Sequence, residues 1–293
     1  MSKSVNLASS VFRTDIFSNK CSIVTGGSKG IGKAIAIELA SLGSKVVIAS
    51  RNSKEIQESA ESIKSITGNE HIYGIECDIR KEESVKNLVK SSIDKLGGIN
   101  FLVNNAGGQF PCPVENMTIK GWKAVIENNL HGPFIMCKEV FDSYMKENGG
   151  SIVNILAEFK RGFPLMAHTG AARSGMDNLT KTLSMEWASY GIRVNAVIPG
   201  TIVHKSMIKH YGEKFTSVLD ILRKKIPVQR YGTCEEVSGA VCFLLSDAAS
   251  FMTGGSIIVD GGQTLITPTS LFNVPEHSKL PAFQWLNNVK SKI

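Results

Sequence analysis

Several things are missing from this chain, and each absence narrows what it can be. Nowhere in its 293 residues is there an apolar run long enough to cross a bilayer. The opening stretch, MSKSVNLASSVFRTDIFSNK, has no apolar core of the kind a signal peptide needs. The expectation is therefore a soluble, intracellular protein. The six cysteines (Cys21, Cys77, Cys112, Cys137, Cys234, Cys242) are scattered, with no close pair at metal-ligand spacing. They read as idle thiols in a reducing compartment, and no metal site is expected. Charge of one sign is not concentrated anywhere. The 33 basic and 26 acidic residues leave +7, but they are interleaved, which argues against nucleic-acid binding. A positive field still suits a small, phosphate-rich molecule. There is no internal repeat and no low-complexity linker. Tyrosine is scarce, five in all, and HTGAARSGMDNLTK (His168 to Lys181) contains none.

What is present is a strict alternation. Short β-branched runs begin at Cys21 (CSIVTG), Lys45 (KVVIAS), His71 (HIYGIECDI), Asn100 (NFLVNN), Ser151 (SIVNIL), Arg193 (RVNAVIPG) and Ser256 (SIIVDGG). Such nearly continuous apolar runs suit strands of a parallel sheet buried on both faces. Helical patterns lie between them. In IGKAIAIELASLG, Ile31, Ile35, Leu39 and Leu42 recur on one face before Gly43 stops the helix. About seven strands with helices on both faces predict an α/β, doubly wound, single-domain Rossmann architecture over residues 18–263. Residues 1–17 form an N-terminal extension, and 264–293 a proline-punctuated, irregular tail.

TGGSKGIG (Thr25 to Gly32) follows the first strand and opens the first helix. Glycines there allow a tight turn and let a pyrophosphate approach backbone N–H groups at the helix N-terminus. The second strand ends in ASRN, so Arg51 stands where an NAD site offers an acid to the ribose 2′-hydroxyl. With Lys29 in the loop, two cations converge on that ribose, which suits a 2′-phosphate and hence NADPH. The alternative for Arg51 is a solvated surface side chain. Asp78, in CDIR, is placed to accept from the adenine amine. NNAG (Asn104 to Gly107) offers small residues against the adenine side of the cofactor.

TGGSKGIG, NNAG, the Asn of NNLHG, PG after the sixth strand and DGG after the seventh together resemble the short-chain dehydrogenase/reductase family. The resemblance covers about residues 18 to 263. It implies a one-domain Rossmann fold, usually a homodimer or homotetramer. It implies cofactor contacts from Gly26, Ser28, Lys29, Gly30, Ile31, Gly32, Arg51, Asp78, Ile79, Asn105, Ala106, Gly107, Arg173, Pro199, Gly200 and Ile202. The family's active site uses Asn, Ser and Tyr-x-x-x-Lys. Alignment through LTKTLSMEWASYGIRVNAVIPG puts Thr169 at the Tyr, Arg173 at the Lys and Leu156 at the Ser. Only Asn129 survives. Asp177 and Lys181 share the i, i+4 spacing but lie two turns further along the helix.

Ketone reduction makes an alkoxide that needs a well-placed acid. Reduction of a C=C bond conjugated to a thioester makes an enolate, which needs an oxyanion-stabilising donor more than a strong acid. Thr169 or His168 is expected to supply that donor, and Arg173 to orient the cofactor's ribose. This departure is shared by the enoyl- and dienoyl-CoA reductases of the family. NNAGGQF, MKENGGSIVNI and GFPLMAHTGAARSG are most similar to its peroxisomal trans-2-enoyl-CoA reductases. The reading is thus an NADPH-dependent enoyl-CoA reductase with an acyl-CoA substrate and Asn129, Thr169, Arg173 and His168 at the reacting centre. A 2,4-dienoyl-CoA reductase, a carbonyl or alcohol enzyme using His168 or Glu158 as acid, and a non-catalytic NADP-binding scaffold are the alternatives. Ser291-Lys292-Ile293 resembles the S-K-L address read by the peroxisomal import receptor, so the expected location is the peroxisome, with the cytoplasm as alternative.

Overall fold

The computed structural model describes residues 10–158, 161–204, 207–208, 219, 221–266 and 274–285. Seven strands form one parallel sheet: β1 Cys21–Thr25, β2 Lys45–Ser50, β3 Ile72–Glu76, β4 Phe101–Asn104, β5 Gly150–Ile155, β6 Ile192–Pro199 and β7 Ser256–Val259. Their order is β3-β2-β1-β4-β5-β6-β7. The chain winds outward from β1 to β3, then crosses back to place β4 on the other side of β1. That reversal opens a crevice at the carboxyl ends of β1 and β4, where folds of this type bind ligands.

Because successive side chains of a strand face opposite ways, each interior strand feeds two cores. Val24, Val46 and Ile48 pack with Ile35 and Leu39 of α1 (Gly30–Ser41), Ile56 of α2 (Ser53–Thr67), and Val237 and Val241 of a late helix. Ile23, Val47 and Leu102 face the other way, onto Leu88 of α3 (Glu82–Leu96), Met136 and Leu183. Burial of each such side chain stabilises by about 1.5–3 kcal/mol. Burial on both faces, expected of every strand, holds for the interior strands only. β3 and β7 are the outer strands and are partly open, with Ile258 43% exposed.

The helix boundaries follow local chemistry. Asn52 caps α2 by accepting the Glu55 N–H, and Gly68 (φ 71°) ends it in the left-handed region. After β4 the chain forms α4 (Ile119–Ile126) and α5 (Gly132–Val140), joined by a π-wound turn at Glu127–His131. After β5 comes α6, Ala167–Glu186, the longest helix among the described residues. The last, α7 (Cys234–Leu245), opens with a capping box between Thr233 and Glu236. The described part of the tail, 274–285, has no helix or strand and binds back to that same cap. Thr233 Oγ1 donates to the Phe283 carbonyl, Phe283 N–H donates to Glu236, and Trp285 is buried in the α1/α2/α7 core.

Candidate active site

The glycine loop is fastened to the end of β4. Thr25 Oγ1 accepts the N–H groups of Asn105 and Ala106, both at 3.0 Å. Asn105 Nδ2 donates to the carbonyls of Thr25 (3.0 Å) and Gly26 (3.2 Å). Gly26 has φ +65°, and a Cβ there would sit 2.9 Å from Ala106 Cα, so only glycine closes this turn without strain. A Cβ on Gly32 would collide with the Gly26 carbonyl and Asn105. Asn105, expected to face the cofactor, spends its amide on holding the two loops together. Thr25, the hub of the arrangement, was not evident in the sequence. A hydroxyl at a strand end carries no pattern of its own.

Charged groups gather at the end of β2. Lys29 pairs with Glu55 at 3.3 Å, and the buried Ser28 hydroxyl donates to the same carboxylate at 3.4 Å. Arg51 is exposed. Asp78 is held by both Nε (2.8 Å) and Nη2 (2.7 Å) of Arg80, and this pairing keeps its carboxyl below the usual range, with Arg51 adding to the effect. Lys29, Arg51 and Asp78 are legible in the sequence, whereas Glu55 and Arg80, which pair with Lys29 and Asp78, belong to no motif. Ile79 is buried against Gly132 at the start of α5, Ile31 packs on the α1 core, and Pro199 ends β6. Gly200 N–H donates to the Val259 carbonyl, and Ile202 forms an isolated bridge to Gly232.

At the ends of β4 and β5 the expected reacting residues come together. Asn129, in the π-wound turn, accepts the Gly108 N–H (2.9 Å) and donates to the Gly108 carbonyl (3.0 Å). Its amide thereby fixes the loop after β4, with one N–H and one lone pair left over. Arg173 Nη1 donates to the Ile155 carbonyl at 2.8 Å. A Cβ on Gly107 would lie 2.5 Å from Arg173 Nη2 and 3.1 Å from Asn129 Oδ1, so the bare glycine makes the approach possible. The guanidinium is buried, its Nε has no hydrogen-bond partner, and burial lowers its pKa to about 10. Among the described residues no carboxylate pairs with it.

Thr169 and His168 are both 0% exposed. His168 Nδ1 accepts the Thr169 N–H (2.7 Å), and its ring meets Phe110 edge-on at 4.7 Å between centroids. An imidazole that accepts at Nδ1 carries its hydrogen on Nε2. That Nε2 is buried without a partner. Burial lowers the ring's pKa, against a smaller opposing effect of the Phe110 and Met166 carbonyls. Leu156 lies in a small apolar cluster with Met176, Ala196 and Ile198, so nothing polar replaces the missing serine there. Asp177 accepts from Ser256 Oγ at 3.0 Å and pairs with Lys181, tying α6 to β7. Lys181 is more than a free helix-face cation, since that pairing occupies it.

Two orphaned donors, His168 Nε2 and Arg173 Nε, thus lie against one loop in the crevice beside β1 and β4. Buried donors without acceptors call for oxygen atoms of a ligand, and the arrangement suits a nicotinamide dinucleotide bound along the strand ends. The fold and cleft define a dinucleotide-binding α/β protein of the Rossmann class. The comparisons carry this further. Residues 26–264 match the family model described as enoyl-(acyl carrier protein) reductase. The chain is 36% identical over 262 residues to the peroxisomal 2,4-dienoyl-CoA reductase of Danio rerio, covering 89% of this chain and 87% of that protein. It is 36% identical over 249 residues to a protein of Bacillus subtilis named a probable 2,4-dienoyl-CoA reductase, covering 84% and 97%. Among solved structures it resembles the citronellol catabolism dehydrogenase of Pseudomonas aeruginosa, with TM-score 0.78, 42% identity, and coverage of 87% and 99%. The chain belongs to the short-chain dehydrogenase/reductase family and is an oxidoreductase.

Proposed function

We propose that this oxidoreductase uses NADPH to reduce the C=C bond of a trans-2-enoyl-CoA. The observation that carries the reading is the buried, partnerless Nε2–H of His168, next to a helix position where the family's acidic hydroxyl has become an enclosed threonine. The bound dinucleotide supplies the hydride. As it reaches the substrate's β-carbon, the C=C pair moves to the α-carbon and the thioester oxygen, and a proton from solvent completes the α-carbon. His168 Nε2–H is suited to hold the oxygen of that enolate, because a neutral donor in a dry site stabilises developing charge with no reorganisation. Arg173, pinned by the Ile155 carbonyl, holds positive charge beside Gly107 for the ribose end. Being a cation across the working pH range, it orients and does not shuttle protons.

A second reading, reduction of a 2,4-dienoyl-CoA, is favoured by the names of the two relatives above. It shares the same enolate and the same donor, with the added electrons spread over a longer conjugated system. One experiment decides: NADPH oxidation followed with 2-enoyl-CoA, 2,4-dienoyl-CoA and 3-ketoacyl-CoA in parallel. Turnover of the first with none of the third is expected. Reduction of the ketone alone would overturn the reading, and tight NADPH binding with no turnover at all would point to a scaffold. The peroxisomal address at Ser291-Lys292-Ile293, which lies outside the described residues, belongs to the same proposal, as does a homodimer or homotetramer. A bacterial relative of equal identity keeps a cytoplasmic location as the alternative. Relocation of a fluorescent protein carrying the last residues tests the address.

A further inference from the structure

The described part of the tail, 274–285, lies along the segment that joins β6 to α7. His277 Nε2–H donates to the Pro227 carbonyl at 2.9 Å. Arg230 holds the tail at a second point. Its Nε donates to the Leu280 carbonyl (2.7 Å) and its Nη2 to the Pro281 carbonyl (3.0 Å). Its remaining N–H groups reach both oxygens of Glu236 (2.9 and 2.7 Å) and the Tyr231 carbonyl (3.1 Å), so every donor of the guanidinium has an acceptor. The same segment grips the loop after β6 on its other side. Gly232 N–H donates to the Thr201 carbonyl at 3.1 Å, and a Cβ on Gly232 would lie 2.4 Å from Ile202 Cδ1. Two residues further on, the His204 ring stands 2.8 Å from where a Cβ on Gly30 would be, so this loop reaches the first residue of α1. A continuous set of contacts thus runs from the tail, through Arg230 and Gly232, to the start of α1 beside the crevice.

We propose that Arg230 is a positioning residue: by clasping the tail to the segment that holds the loop after β6, it couples tail docking to dinucleotide binding. The proposal rests on the dinucleotide reading of the crevice, and on neither the choice of cofactor nor the substrate. A loop at the carboxyl end of a strand borders the ligand in folds of this type, and ordering it at the moment of binding costs conformational entropy. A loop already pinned at Thr201 and Ile202 has less left to lose. That pin is as firm as the segment that carries it. The clasp stiffens the segment by spanning Leu280, Pro281 and Glu236 with one planar group. Trp285 anchors the far end of the tail in the core, so loosening Arg230 frees the stretch between His277 and Phe283 without releasing the whole tail. Coupling of this kind is reciprocal: the factor that docking adds to dinucleotide affinity, the dinucleotide returns to docking.

The test reads both ends of the coupling. Arg230→Lys keeps a cation for Glu236, and with it the start of α7, but one ammonium cannot also hold both tail carbonyls. Dinucleotide affinity is measured by calorimetry with NADPH and with NADH, and tail docking by hydrogen exchange around Phe283, whose N–H donates to Glu236. In Arg230→Lys that exchange should quicken, and Kd for the tighter dinucleotide should rise by about fivefold to a hundredfold, within the usual span of coupling between two sites. In the unmutated protein, saturating dinucleotide should slow exchange around Phe283. Val241→Ala opens a cavity in the core under α7, lowers stability without touching the clasp, and should leave Kd unchanged. Equal losses of affinity in Val241→Ala and Arg230→Lys would show general destabilisation and overturn the proposal. So would faster tail exchange in Arg230→Lys with unaltered Kd, or tighter binding, which would mean that the clasp holds the loop in the ligand's way. If Arg230→Lys fails to fold, the unmutated protein decides alone: exchange around Phe283 that ignores saturating dinucleotide refutes the coupling. Binding of neither NADPH nor NADH would remove the dinucleotide reading itself, and the proposal with it.

Discussion

Arg173 and Asp177 are one turn apart on α6, both buried, and they serve different ends. Asp177 spends its oxygens on Ser256 and Lys181. Asp177→Asn should therefore cost about 1–2 kcal/mol of stability through weakened hydrogen bonding, and leave most turnover intact. Arg173→Ala removes a buried cation with an unsatisfied Nε, so stability should change little while cofactor affinity and turnover drop. Denaturant melts and steady-state rates on both variants separate the two; loss of activity in a folded Asp177→Asn with Arg173→Ala unaffected would reverse the assignment. Glu38 supplies a different residue-level test. It is fully enclosed between α1 and α7, where Ser10 and Ser238 donate to it, yet burial raises its pKa above the ordinary carboxylate range. A raised folded-state pKa favours folding while the group is protonated, and that contribution is lost as pH rises through the folded value. Glu38→Gln should consequently gain melting temperature relative to the parent as pH goes from 5 to 8; a constant gap would disprove it. Residue identities at the site were legible from register alone. That Thr169 and His168 are sealed from solvent, or that His204 reaches Gly30, was not, because each depends on contacts between segments far apart in sequence.

At the scale of elements the sequence was most legible where periodicity is strongest. Five of the seven strands lie within the runs read from it and β5 and β6 begin one residue earlier, since interior strands bury both faces and leave an apolar signature. The partly open β3 and β7 show what that signature omits: a run of Ile and Val does not say where in the sheet it will sit. The π-wound turns after Ile126 and Val140 are likewise invisible, because no residue type marks where an extra residue enters a helical turn. The junction between the glycine loop and β4 makes an element-level prediction. Thr25→Val keeps the shape of the side chain and removes the acceptor. Asn105 N–H also reaches the Val103 carbonyl at 3.2 Å, but Ala106 N–H is left with nothing. The expected cost is about 1–3 kcal/mol, with weaker dinucleotide binding, and Thr25→Ser should restore both. Equal stability of the Val and Ser variants would show that the junction is not held by this hydroxyl.

For the molecule as a whole, a ligand that binds only the folded state stabilises it by mass action, about 2.7 kcal/mol at one hundred times Kd. Lys29 and Arg51 at the end of β2 make NADPH the cofactor for which this shift should be larger. Thermal melts with matched concentrations of NADPH and NADH should show the greater rise with NADPH. Arg51→Ala should shrink that rise and leave the NADH response alone, since a lost charge-assisted contact to phosphate costs about 1.5–3 kcal/mol. Equal shifts in the unmutated protein would remove the basis for the cofactor choice.

The core beneath α1, α2 and α7 holds Phe17 from before the first strand and Trp285 from the tail. Glu38 and Ser238 meet there across 200 residues of chain. On a ribosome, the segment carrying Phe17 and the glycine loop emerges long before the residues that close this core. The early strands and helices must wait, with an apolar face uncovered, until α7 and Trp285 have been made. Nascent chains stalled before Trp285 should accordingly bind holdase chaperones and resist protease poorly, and chains released after it should not. Closing contacts between distant segments also slows the search for the native state, so this protein's exposure to aggregation is set by the time between synthesis of its first strand and its last helix.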